Sequence, residues 1–77
     1  METALNFNHI LLFKTNISSH KGKQLLHTLL DKHPAVQCWN IDMEDSDYVL
    51  RIISETLSHT QIIEIINHHG YQCCELT

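Results

Sequence analysis

The chain has 77 residues, 43% hydrophobic and 18% charged, with nine acidic side chains against five basic ones and a formal net charge of −4. That length suffices for one domain that buries roughly 60 to 65% of its surface on folding, and the composition argues against disorder. The acidic balance disfavours a nucleic-acid phosphate backbone, and no run approaches the roughly 20 apolar residues of a membrane span.

Met1 to Phe7 carries little pattern. Asn8 to Lys14 reads as the first strand, its apolar run implying a central position buried on both sides. From Ser19 onward, Leu25, Leu26, Leu29 and Leu30 recur at helical spacing, with Ser18 or Ser19 as the N-cap and Pro34 closing the far end. Gly22 shares a face with Leu26 and Leu29, which points to close approach of this helix to the sheet.

Val36 to Met43 alternates, with Trp39, Ile41 and Met43 on one face and Cys38, Asn40 and Asp42 on the other. Glu44 to Asp47 makes a tight polar connection, and Tyr48 to Ile53 resumes as a largely buried strand, completing a β-hairpin. The second helix is announced by Ser58 and Gln61 at capping-box spacing and by Leu57 and Ile62 at the positions of a hydrophobic staple. Ile62, Ile65 and Ile66 form its inner stripe. Gly70 supplies a left-handed terminus, and Tyr71 to Leu76 reads as a closing strand.

The order β-α-β-β-α-β predicts an α+β, ferredoxin-like sandwich of four antiparallel strands, order 4-1-3-2, with two helices on one face. In that topology Lys14 to His20, Met43 to Asp47 and His68 to Tyr71 share one end of the sheet. Chemistry is therefore sought there first.

The pattern resembles the heavy-metal-associated (HMA) domain family, small copper-chaperone and metal-ATPase domains with this element order. Family members carry Met-x-Cys-x-x-Cys at the end of strand 1, two thiolates that hold a soft ion such as Cu(I). Aligned through Leu25 and Leu26, Phe13 falls on the methionine, Thr15 on the first cysteine and Ser18 on the second. Gly70-Tyr71 matches a Gly-Tyr pair that many bacterial members have at the start of strand 4. The resemblance implies the fold across nearly the whole chain and a degenerate metal loop. A hydroxyl keeps its proton near neutral pH and is a poor ligand for a soft ion, so no metal is expected at Thr15 and Ser18.

Seven histidines leave an alternative. At the shared end His20, His68 or His69, and a carboxylate from Glu44, Asp45 or Asp47 are candidates to converge on Zn or Cu. The competing reading has solvated histidines, with His68 and His69 favouring a helix C-terminus. Asp42, Glu44, Asp45 and Asp47 superficially suggest calcium, yet the turn glycine and distal glutamate of an EF-hand loop are missing. They read as a solvated hairpin tip, or as a docking patch that steers a basic partner. Metallochaperone-like domains recognise partners by surface charge, as the resemblance implies, and Tyr71 joins this expected surface.

Cys38, Cys73 and Cys74 contain no C-x-x-C pair, and the start of the chain lacks the features of a secretory signal, so a reduced, cytoplasmic setting is expected. Cys73 reads as a core residue and Cys38 as lying on the opposite edge strand. Trp39 reads as a core or sheet-face anchor that could also serve an oligomer contact. No catalytic constellation or phosphate-cradling loop can be assembled, so an enzyme is not expected. The expectation is a protein-interaction or regulatory module without a cofactor, able to form a homodimer through a sheet edge, with a metal carrier or sensor as the alternative.

Overall fold

The computed structural model describes residues 9–76. Its elements are β1 (Ile10–Thr15), α1 (His20–Leu30), β2 (Cys38–Ile41), β3 (Leu50–Ile53), α2 (His59–His68) and β4 (Cys73–Glu75). All strand pairs are antiparallel, and the sheet order β2-β3-β1-β4 is the expected ferredoxin-like order read from the other edge. Asn8, the expected first residue of β1, lies outside the described residues, as does the segment from Met1 to Phe7.

Register explains the core. Leu11 pairs with Ile52, Phe13 with Leu50, Leu50 with Ile41 and Thr15 with Cys73, so these seven residues share one face of the sheet. They are all buried, together with Leu26 and Leu30 of α1 and Ile62 and Ile66 of α2. The helices thus cover a single face. The expectation that β1 is buried on both sides is corrected: Ile10 and Leu12 are half-buried and Lys14 is exposed. The same holds for β3, where Arg51 is exposed between Leu50 and Ile52. Isoleucine and leucine on the uncovered face produced an apolar run that mimicked a doubly covered strand.

Helix ends follow local chemistry. Ser19, in extended conformation, caps α1 by accepting a hydrogen bond from the Gly22 N–H at 3.1 Å, which decides between the two candidate serines. α1 ends earlier than Pro34 implied, with Asp31 as C-cap, and a turn closes through His33 N–H to Leu30 O at 3.2 Å. Pro34 disfavours helical geometry at His33, so its effect reaches back along the chain. In α2 the capping box is complete: Ser58 accepts from Gln61 N–H, and the Gln61 side chain accepts from Ser58 N–H at 2.8 Å. Leu57 packs against the core that holds Ile62.

α2 ends in a Schellman pattern, Tyr71 N–H to Ile66 O at 3.3 Å and Gly70 N–H to Asn67 O at 3.0 Å, around Gly70 at φ 92°. The expected strands at Val36 to Met43, Tyr48 to Ile53 and Tyr71 to Leu76 are all shorter in the structure. Their ends are taken up by the turns that converge on the site.

Candidate functional site

Three connections meet at one end of the sheet, as the topology requires, and backbone hydrogen bonds hold them together. The Thr15 N–H donates to Asp47 O at 3.0 Å, and the Asn16 N–H donates to Gln72 O at 3.3 Å. Asn16 reciprocates through its side chain, accepting from the Gln72 N–H at 2.8 Å. The β1–α1 turn is therefore tied to the β2–β3 hairpin on one side and to the α2–β4 connection on the other.

Thr15 stands at the centre. Its side chain is buried at the end of β1, where the hydroxyl donates to Tyr48 O at 2.7 Å and accepts from the Ile17 N–H at 3.2 Å. Tyr48 is the one non-glycine residue with positive φ among the described residues, at 46°. Such a conformation costs energy for a bulky side chain, and the Thr15 hydroxyl fastens the peptide that adopts it. The proton that a soft-metal ligand would have to surrender is instead committed to a carbonyl. Ser18, expected to fall at the second cysteine position, is exposed, as is His20.

Ile17, between them, is fully buried. A Cβ placed on Gly22 would come within 2.8 Å of Ile17 Cγ2 and 3.3 Å of the Tyr71 ring. The close approach read from Gly22 is real, but its partners are a loop residue and an aromatic ring rather than the sheet. Tyr71 is correspondingly half-buried and packs against the core. The ring fills the space that the missing side chain of Gly22 leaves, and only part of it faces outward.

The acidic hairpin is organised by its own carboxylates. Asp42 accepts from the Glu44 and Asp45 N–H groups at 3.0 and 3.2 Å, Asp45 accepts from the Asp47 N–H at 2.8 Å, and Asp47 lies 3.6 Å from the Lys14 ammonium. These Asx-type contacts stabilise the turn. Asp42, Glu44 and Asp45 remain exposed, so the tip presents negative charge to solvent.

The histidines do not join it. His68 and His69 stack edge to face with ring centroids 5.4 Å apart, and His69 Nδ1 bonds to Ile65 O at 3.0 Å. Both line a depression along α2 with His33 and Leu57, near the far end of α1. Among the described residues, no three His, Cys, Asp or Glu side chains are grouped so as to hold a metal ion. The grouping of His20, His68 or His69 with Glu44, Asp45 or Asp47 does not form.

The cysteines fall where the pattern put them. All three are free, Cys38 sits on one edge strand, and Cys73 and Cys74 sit on the other. Cys73 is buried, and burial, with a smaller effect from Cys74, pushes its thiol up from 9.0 to about 12. It belongs to the hydrophobic core, where burial disfavours the reactive thiolate.

A second polar cluster was not anticipated. At the end of α1, Asp31 takes both the His27 ring nitrogen, 2.9 Å away, and the Trp39 indole N–H, at 2.7 Å. The rings of His27 and Trp39 meet edge to face at 4.9 Å. The hydrogen bond from His27, and then that from Trp39, hold the Asp31 carboxyl below its ordinary range. The i,i+4 spacing of His27 and Asp31 was a usable signal, but the indole reaches them only through the fold. Trp39 is half-buried and anchors β2 to α1, as expected of a core-flanking aromatic.

Comparison of the chain with family models, curated proteins and solved structures finds no match. Among the described residues, no helix is long and apolar enough to cross a membrane.

Proposed function

We propose that the protein is an HMA-like interaction module whose ancestral type of metal loop serves as a structural clasp, and whose acidic hairpin docks a basic protein partner. The observation that carries this reading is the Thr15 hydroxyl, engaged as donor to Tyr48 O and acceptor from Ile17 N–H in a buried position. A residue at the first metal-ligand position that instead fastens the hairpin turns the loop end into a scaffold for presenting Asp42, Glu44 and Asp45. No chemistry of bond making or breaking is assigned to it. Three free cysteines on separate edges or in the core agree with a reduced, cytoplasmic setting.

The field of the hairpin steers a basic partner and is screened by salt. The test is an NMR titration of the labelled protein with an oligolysine peptide. Amide shifts centred on Asp42 to Asp47, weakened by Glu44→Gln and by added salt, are the expected result. Shifts spread evenly over the surface, or unaffected by salt, contradict the reading.

A further inference from the structure

The hairpin continues into β2, which is an unpaired edge of the sheet among the described residues. The Asp42 N–H donates to Val49 O at 2.9 Å, and these two residues are directly opposed in the β2–β3 register. They are therefore a hydrogen-bonded pair, and the alternation of an antiparallel ladder makes Asn40 with Arg51 and Cys38 with Ile53 the next two. It follows that the N–H and C=O groups of Trp39 and Ile41 point outward from β2, away from the sheet. Neither residue enters a turn or cap hydrogen bond among the described residues.

Beside this edge two depressions adjoin. One of about 310 Å³ is bounded by His27, Asp31 and Trp39, and one of about 470 Å³ by Asp42, Glu44 and Asp45. Lys23, Asn40 and Ile41 border both. The cleft thus runs along the length of β2, between the edge and α1. Its aromatic wall is held in place, because Asp31 takes the Trp39 indole N–H on one oxygen and His27 on the other.

We propose that the β2 edge accepts an extended, basic segment of a partner protein as a fifth, antiparallel strand. The proposal rests on the reading of the hairpin as a docking patch and adds the mode of attachment. Backbone pairing at Trp39 and Ile41 supplies the affinity common to strand addition, while alternate side chains of the incoming strand enter the cleft. Residues opposite Trp39 and Ile41 point to the same face as these two, where apolar side chains meet the indole and the isoleucine. Basic residues precede them in the segment and lie against Asp42, Glu44 and Asp45. A second copy of this chain is a poorer occupant, because its own net charge is −4 and its β2 ends in the same acidic turn. The opposite edge is less suited, since β4 has three residues and Glu75 lies 3.8 Å from His59.

The test uses the labelled protein with the capped peptide Lys-Lys-Val-Thr-Val-Thr, its glutamate counterpart Glu-Glu-Val-Thr-Val-Thr, and the lysine peptide N-methylated at both valines. The proposal expects shifts and slowed amide exchange at Trp39 and Ile41 together with shifts at the hairpin. N-methylation should weaken binding about tenfold or more, the loss of roughly one to two backbone hydrogen bonds. The glutamate peptide should not bind. Hairpin shifts with no added protection at Trp39 and Ile41, and no effect of N-methylation, overturn strand addition while leaving the docking patch intact. No response to millimolar lysine peptide overturns the proposal, and if oligolysine also fails, the docking patch falls with it. Protection of the edge that grows with protein concentration in the absence of peptide assigns it to a second copy and also overturns the proposal.

Discussion

At the scale of single residues, Thr15 links the sequence pattern to the fold. Valine has nearly its shape but lacks the hydroxyl, so Thr15→Val leaves Tyr48 O and the Ile17 N–H without a partner and should cost about 1–3 kcal/mol. Thr15→Ser keeps the hydroxyl and should lose less. Urea unfolding of both variants measures the difference, and equal losses would mean that the methyl, not the hydroxyl, matters. Cys73 gives a second prediction. Its thiol is pushed up to about 12 in the folded state, so the stability it contributes is fully present below 9.0 and is lost as pH rises toward 12. Replacing it with alanine should lower stability at neutral pH and flatten this alkaline decline. In the native protein a thiol reagent should modify the exposed Cys38 and Cys74 quickly and Cys73 only on unfolding.

At the scale of elements, the two glycines separate sterics from backbone conformation. Gly22→Ala places a Cβ at 2.8 Å from buried Ile17, so its clash should exceed the roughly 1 kcal/mol that alanine gains in a helix. Gly70→Ala meets nothing within 4 Å but must hold φ 92°, and should cost about 1 kcal/mol through backbone strain alone. Ser58→Ala removes one arm of the capping box of α2, for about 1 kcal/mol. Thermal unfolding of the three variants ranks these effects, and a stabilised Gly22→Ala would contradict the close packing of Ile17 and Tyr71.

The elements and their order were legible because Ser58, Gln61, Gly70 and the leucine and isoleucine spacings encode local geometry. The half-open sheet was not, because Ile10, Leu12 and Ile53 place apolar side chains on a face that, among the described residues, no helix covers. At the site, the convergence of the three turns followed from topology. Ile17 was passed over because one isoleucine in a polar turn has no period to reveal it. The Asp31 contacts depend on where β2 lies beside α1, which spacing along the chain does not carry. The contact of Tyr71 with Gly22 was hidden for a related reason: only the packed structure shows the ring filling that gap.

At the scale of the whole molecule, one end of the sheet combines a clasped loop with an exposed acidic tip. Among the described residues no three His, Cys, Asp or Glu side chains are grouped so as to hold a metal ion. The hairpin carboxylates lie where three connections are cross-linked by hydrogen bonds, which fixes the position of the tip. The central claim, that this end is a scaffold rather than an ion site, is tested most directly by NMR titration with Zn²⁺ and, under reducing conditions, Cu(I). The account predicts scattered shifts at exposed histidines and cysteines with no saturable site among the three turns. Micromolar binding, with shifts confined to Thr15–His20, Glu44–Asp47 and His68–Tyr71, would contradict it.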